Sequence, residues 1–288
     1  MKIDAMDIRT VCIAGAGTMG RGIAQVAAQS GFKTILFELN ESVLNAARDS
    51  IMKQIKRMVE KGKVTEQEGR EAIDRLTFTT KVEDCRADII IEAIIEKLEA
   101  KLSLFGKLEE INTGKCIFAS NTSSLSVTEI SRGLRDASSF IGMHFFNPAP
   151  VMKLVEIITT ESTSEEVKTT TLELTRKMGK TPVVCKDSPG FIVNRVARPF
   201  YIESLRLVEE GVTNFEQLDT ILEATGFRMG PFHLMDLIGN DVNYAVTSSV
   251  YTQLNEPIRL KPSDIQRKKV DAGQLGRKTG KGYYEYPG

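Results

Sequence analysis

The sequence predicts an α/β domain followed by a smaller all-helical one, and three observations carry that prediction. Strand-like apolar runs alternate with helical patterns as far as about residue 186. Beyond that point the strand signal disappears and helical patterns continue alone. The stretch Gly15-Ala16-Gly17-Thr18-Met19-Gly20 joins the first apolar run to the first helical pattern, which marks the larger domain as a Rossmann-type dinucleotide-binding unit. The expected domains are residues 1–186 and 187–288.

Taken in order, Thr10 to Ala14 reads as a strand, Arg21 to Ser30 as a helix and Lys33 to Glu38 as a second strand, together a βαβ unit. A polar helical stretch from Glu41 to about Gly62 follows. Thr65 is placed as the N-cap of a second helix to about Asp74, giving an inserted helical hairpin over about 41–75. Further strands are expected at Leu76–Thr79, Asp88–Ala93, Lys115–Ser120, Ser139–His144, Lys153–Ile158 and Pro182–Cys185. Helices at Leu98–Ile111, Ser126–Leu134 and Ser164–Met178 separate them. Ser188-Pro189 reads as an N-cap followed by proline at the first helical position, opening a helix to about Glu210.

Composition limits the partners. Lys plus Arg and Asp plus Glu number 38 each, so no global field would hold the chain to nucleic acid or to an anionic membrane. No apolar run reaches the length of a membrane span. The opening Met1–Asp7 carries two acids and fits neither a secretory signal nor a transit peptide, so a cytoplasmic location is expected. Four cysteines without CxxC or Cys/His spacing read as buried free thiols, with no metal site.

The glycine motif has the context that gives it meaning. Gly15 allows the tight turn, Gly17 lets the backbone approach a pyrophosphate, and Gly20 lets helix and sheet pack closely. The motif opens a helix whose positive end would receive the phosphates, with Thr18 and Met19 among the cofactor-binding residues of the turn. Glu38 ends the second strand eighteen residues after Gly20, where its carboxylate can accept from ribose hydroxyls. It would repel a 2′-phosphate, and Leu39-Asn40-Glu41 offers no Arg to bind one, so NAD is the expected cofactor.

In such sheets ligands lie beyond the carboxyl ends of the strands. Ala93 and Glu96, then Asn121-Thr122-Ser123-Ser124, then His144-Phe145-Phe146-Asn147-Pro148 would thus converge on one edge. Of the two histidines, His144 is the better placed to take a hydroxyl proton as a hydride leaves the same carbon. Glu156, a carboxylate inside an apolar strand, needs a partner, and pairing with His144 would orient the imidazole. The plain alternatives stay open at this point: a structural histidine at a strand end, and a glutamate facing solvent. His233 has no acid in a comparable strand context nearby.

Together the glycine motif, Ile91-Glu92-Ala93, Ala119–Ser124, His144–Glu156, Lys186–Arg195 and Gly280–Tyr286 resemble the L-3-hydroxyacyl-CoA dehydrogenases. The single-function bacterial 3-hydroxybutyryl-CoA dehydrogenases are the most similar branch. The resemblance implies reversible NAD-dependent oxidation of a (3S)-3-hydroxyacyl-CoA, of short chain, to the 3-oxoacyl-CoA. It makes His144 the base, oriented by Glu156, and puts Ser123 and Asn194 at the reacting oxygen or thioester. It also implies that Glu96, Lys101 and Asn147 hold the nicotinamide half, with Lys61 on the coenzyme A tail, and that the helical domain dimerises. The chain departs from the pattern at His233, where the family has Glu, and at Asn240, where it has a Leu-like residue. Two other readings are a dehydrogenase of a free 3-hydroxy or sugar acid, and a crystallin-like protein that binds NAD without turnover.

Overall fold

Val11, Cys12, Ile13 and Ala14 are fully buried on β1 (Thr10–Ala14), and Ile89, Ile90 and Ile91 on β4 (Ile89–Glu92). Burial on both faces is what a central parallel strand requires, and it explains why these runs are apolar without alternation. The computed structural model describes residues 7–287; Met1–Met6, most of the opening segment on which the targeting expectation rests, lies outside the described residues. Eight strands form one sheet in the order β3-β2-β1-β4-β5-β6-β7-β8. The others are β2 (Lys33–Phe37), β3 (Leu76–Thr79), β5 (Ile117–Ser120), β6 (Phe140–Phe145), β7 (Leu154–Thr159) and β8 (Thr181–Lys186).

The expectation of an open parallel sheet holds from β3 to β6 and is corrected at β7, which runs antiparallel to β6. The reason is length. Residues 146–153 are too few for a parallel crossover, which takes about a dozen or more. β8 then pairs parallel with β7, reached through α6 (Glu165–Lys177).

Between β2 and β3 the hairpin expected from sequence is the crossover itself: α2 (Glu41–Glu60) and α3 (Glu66–Asp74), both packed on α1 (Thr18–Gln29). Leu44, Ala47, Ile51 and Ile55 recur at helical spacing on α2 and join the core under the sheet. Each of the larger three contributes about 1.5–3 kcal/mol through burial. Thr65 caps α3 in a capping box with Glu68, as its position predicted. Cys12, Cys85 and Cys116 are buried free thiols, whereas Cys185, expected to be buried as well, is only half-buried because β8 is an edge strand.

The chain divides by its contacts after Asp187. The second unit, Ser188–Gly288, contains α7 (Val193–Glu209), α8 (Phe215–Ala224), α9 (Pro231–Ile238), α10 (Asn240–Gln253) and α11 (Asp264–Asp271). Its core gathers Tyr201, Leu205, Leu218, Phe232, Met235 and Tyr283. α7 begins four residues after the proline that was expected to open it. Gly190 and Phe191 adopt positive φ (74° and 48°), and the Phe191 amide closes a turn onto the Ser188 carbonyl at 2.8 Å, so the chain must turn before it can coil. The fully buried Asp236 carboxylate accepts from the Tyr283 and Tyr284 amides, the Tyr286 hydroxyl and the Asn240 side chain, at 2.8–3.0 Å. Asn240 is thus a buried member of the knot that holds the closing segment of the chain.

Candidate active site

The turn from β1 into α1 is built from its three glycines, each for a different reason. Gly15 has φ +108°, and a Cβ there would lie 2.6 Å from the Ala93 carbonyl oxygen at the end of β4. A Cβ on Gly20 would overlap the Gly15 carbonyl, so helix and turn can meet only through glycine. At Gly17, by contrast, a Cβ would meet nothing within 4 Å. The space in front of Gly17 is open, and it lies at the N-terminus of α1, where Gly17 is the N-cap and no side chain satisfies the free amides. That is the cradle a pyrophosphate needs: unpaired donors, a helix's positive end and no side chain in the way. Thr18 is exposed beside it and Met19 half-buried.

From this turn a cleft of about 640 Å³ runs between Gly15, Gly17 and Glu38 on one side and Ala93, Ile94 and Leu104 on the other. Leu39, Val43, Ile95 and Lys107 also line it. Sequence reasoning missed these apolar walls, although Leu39, 76% exposed, directly follows a motif residue. Glu38 turns one oxygen to the Ala16 amide at 3.1 Å and the other to the Asn40 amide at 3.1 Å, which fixes the carboxylate at the cleft's edge.

At the other end of the sheet, His144 on β6 and Glu156 on β7 face each other directly in the antiparallel register. His144 Nδ1 lies 2.7 Å from Glu156 Oε2, with the histidine 5% exposed and the glutamate fully buried. The alternative of a solvent-facing glutamate is thereby removed for Glu156. Phe146 packs its ring 4.5 Å from the imidazole centroid. The loop after β6 returns toward α1, where a Cβ on Gly22 would sit 3.2 Å from Ala149 and Pro150. Lys180, nearly buried, anchors that loop through the carbonyls of Ala149 and Met152 at 2.5 and 2.8 Å, and burial lowers its pKa.

Between these two features lies the 121–124 segment after β5. Asn121 is tied down, its side-chain oxygen accepting from the Phe145 amide at 2.9 Å. Ser123 is half-buried, with its amide 2.8 Å from Glu96 Oε1. The same oxygen accepts from the Thr122 hydroxyl at 2.6 Å and the Ser124 amide at 3.0 Å. Glu96 Oε2 meets Lys101 Nζ at 3.1 Å, and that ammonium, 1% exposed, meets Glu92 Oε1 at 2.6 Å. Burial pushes the Glu92 carboxyl up against the opposing pull of Lys101. Burial also acts on Glu96, but Lys101 and the donors of the loop prevail and hold its carboxyl below the usual range. Glu92 entered the sequence reading only as the middle of Ile91-Glu92-Ala93; nothing in a short apolar strand shows that its one acid anchors a buried lysine.

The remaining expected residues are scattered. Asn147 is exposed in the loop after β6, and Lys61 is exposed at the C-terminal end of α2. Asn194 lies in the second unit, in the first turn of α7, its carbonyl accepting from Arg198 Nε at 2.9 Å. His233 has no strand acid beside it, but a helix provides two: Nδ1 is 3.2 Å from both Asp219 and Glu223, which α8 supplies from ten or more residues upstream. Its ring also stacks on Tyr284 with centroids 4.3 Å apart. Among the described residues there is no cluster suited to a metal ion and no helix long and apolar enough to cross a membrane.

Comparison with known proteins covers both units. Residues 10–188 match the 3-hydroxyacyl-CoA dehydrogenase NAD binding domain, and residues 190–286 match the C-terminal domain of the same family. The chain is 43% identical over 283 residues to a 3-hydroxyadipyl-CoA dehydrogenase of Escherichia coli, covering 98% of this chain and 60% of that one. It is 42% identical to a probable 3-hydroxybutyryl-CoA dehydrogenase of Bacillus subtilis, with 98% of each covered. Among solved structures, (S)-3-hydroxybutyryl-CoA dehydrogenase from Ralstonia eutropha superposes with a TM-score of 0.94 at 37% identity, over 98% of this chain and all of that one.

Proposed function

Because the chain belongs to the 3-hydroxyacyl-CoA dehydrogenase family, matched in turn by both of its units, we propose that it reversibly oxidises a (3S)-3-hydroxyacyl-CoA, of short chain such as 3-hydroxybutyryl-CoA, to the 3-oxoacyl-CoA. The observation that carries the reading is the buried pair of His144 and Glu156 on one rung of the β6–β7 ladder. A carboxylate 2.7 Å from Nδ1 keeps that nitrogen protonated and leaves Nε2 to act as the base. Nε2 takes the hydroxyl proton, the carbon–oxygen bond becomes a carbonyl, and Glu156 stabilises the imidazolium that results. In the reductive direction the imidazolium returns the proton to the carbonyl oxygen.

NAD, bound over the glycine turn, supplies the acceptor for the hydrogen that leaves with its electron pair. The structure fits this cofactor at Gly17, where a Cβ would occupy open space in front of unpaired helix amides. Gly15, Thr18, Met19 and Gly20 complete that cradle, and Glu38 accepts from the adenosine ribose. Leu39, Val43, Ile94 and Leu104 provide apolar walls for the adenine. Ala93, Asn121, Glu96 and Asn147 hold the nicotinamide side, with Lys101 behind Glu96. Ser123, whose hydroxyl makes no hydrogen bond among the described residues, contacts the reacting oxygen or thioester, and Asn194 does likewise. Lys61 serves the coenzyme A tail.

A homodimer formed by the second unit belongs to the same proposal. Val196, Val212, Ile221 and Ile258 support it, apolar side chains of that unit that are 60–76% exposed, as a surface awaiting a second copy would be. Sedimentation of a single species at the monomer mass would remove it. A cytoplasmic location is also proposed, supported by four free cysteines and no disulfide among the described residues. Export of the chain on cell fractionation would contradict this.

The test of the activity follows NADH absorbance with acetoacetyl-CoA. The wild type turns over, and His144→Ala loses about 10²–10⁴-fold in kcat. A wild type that binds NADH and leaves the thioester untouched sinks the acyl-CoA reading.

A further inference from the structure

We propose that the chain Glu92–Lys101–Glu96, buried at its first two members, is a positioning device that sets the 122–124 loop, and through it Ser123, in the place where substrate is met. The inference rests on the activity proposed above and concerns residues that act through others. Lys101 lies in the first turn of α4 (Leu98–Ile111) and is 1% exposed. Its ammonium sits between two carboxylates, Glu92 at 2.6 Å and Glu96 at 3.1 Å. The buried pair of Glu92 and Lys101 adds little net stability, since desolvation offsets most of the attraction, and Glu96, 36% exposed at its side chain, adds little more. What the arrangement does supply is location.

Each end of the chain is fixed to a different part of the molecule. Glu92, at the carboxyl end of β4, accepts from the Ile94 amide at 2.7 Å and from the Ser120 hydroxyl at 2.6 Å, and Ser120 is its direct neighbour in the β4–β5 register. The sheet therefore holds Glu92, Glu92 holds Lys101, and Lys101 holds one oxygen of Glu96. The other oxygen of Glu96 gathers the Thr122 hydroxyl and the amides of Ser123 and Ser124. A second tether reaches the same loop, as the Thr122 amide donates to the Ser120 hydroxyl oxygen at 3.2 Å. Removing the ammonium leaves two carboxylates facing each other: Glu92 takes a proton, and Glu96 loses the anchor that gives the loop its fixed point.

The test uses Lys101→Met, and the pair Glu92→Gln with Lys101→Met, which removes both buried charges together so that neither is stranded. Hydrogen exchange of the 121–126 peptide and a double-mutant cycle with Ser123→Ala are the readouts. Both variants should exchange that peptide at least about tenfold faster. The effect of Ser123→Ala on kcat should shrink from about tenfold in the wild type to less than about twofold in either background, because a misplaced serine has little left to lose. A role confined to stability would leave the two losses multiplying in full. Unchanged exchange at 121–126, or full multiplication, overturns the proposal. Failure of acetoacetyl-CoA turnover in the wild type would instead overturn the activity, and the exchange measurement would still decide the loop.

Discussion

Two alanine substitutions in the same glycine turn should have opposite consequences. In a helix interior, Gly→Ala on propensity alone stabilises by about 1 kcal/mol. At Gly20 the structure reverses the sign, because the new Cβ would overlap the backbone oxygen of Gly15, which cannot swing aside as a side chain would. Overpacking of this kind costs about 1–3 kcal/mol, so Gly20→Ala should lower Tm by several degrees or fail to fold. At Gly17 the backbone (φ −62°, ψ −172°) suits any residue and the added methyl meets nothing. The weaker N-cap and the stiffer unfolded chain roughly cancel, leaving stability within about 1 kcal/mol of wild type. Yet the methyl stands where a phosphate would approach the helix amides, and losing one charge-assisted hydrogen bond there costs about 1.5–3 kcal/mol. That corresponds to an NADH Kd weakened by about 10- to 150-fold. Thermal unfolding without cofactor and fluorescence titration with NADH separate the two effects. A Gly17→Ala protein with wild-type NADH affinity would refute the cradle, and a Gly20→Ala protein as stable as wild type would refute the packing argument.

Three further outcomes are expected. Glu156→Gln keeps the shape beside His144 but removes the charge that stabilises the imidazolium, so kcat should fall by about 10²-fold or more with KM for NADH little changed; a kcat near wild type in steady-state assays would exclude the orienting role. Asp236→Ala leaves four donors without their common acceptor and should destabilise the second unit by about 3–5 kcal/mol, read in denaturant unfolding and in proteolysis near the closing segment. Burial, with the charge of Asp88, pushes the Cys116 thiol up to about 12, and burial with Glu156 and Asp187 does the same for Cys185. Both are protonated at pH 8, so a thiol reagent should react slowly with the native protein and accelerate as pH rises toward 12; a fast burst at pH 8 from either would contradict this.

How far the sequence could be read depended on how local each determinant is. The strands of the sheet announce themselves because Ile89–Ile91 or Val11–Ala14 must be apolar on both faces, and the Thr65 cap because its box closes over four residues. His144 and Glu156 could be paired because an acid in an apolar strand needs a partner and only one imidazole was suitably placed. The reversal at β7 was missed because apolarity gives no direction. The start of α7 was misplaced because Ser188-Pro189 carries a helix signal that the turn at Gly190 and Phe191 overrides. The acids around His233 come from a neighbouring helix, and the burial of Lys101 depends on two carboxylates arriving from β4 and the loop after it. Such convergence exists only in three dimensions.

The antiparallel step between β6 and β7 makes the acid–base pair a property of pairing registry. His144 and Glu156 meet because Met143 meets Ile157 and Phe145 meets Val155. Shifting either strand by a single position would bring an apolar neighbour opposite the imidazole and turn the carboxylate to the other face. Insertions or deletions in the connecting residues 146–153 need not disturb this alignment, whereas one inside Phe140–Phe145 or Leu154–Thr159 would abolish it at a stroke. The dyad is thus carried by the ladder of the two strands, while the intervening loop, held by Lys180 and packed on α1, has its own part in the site.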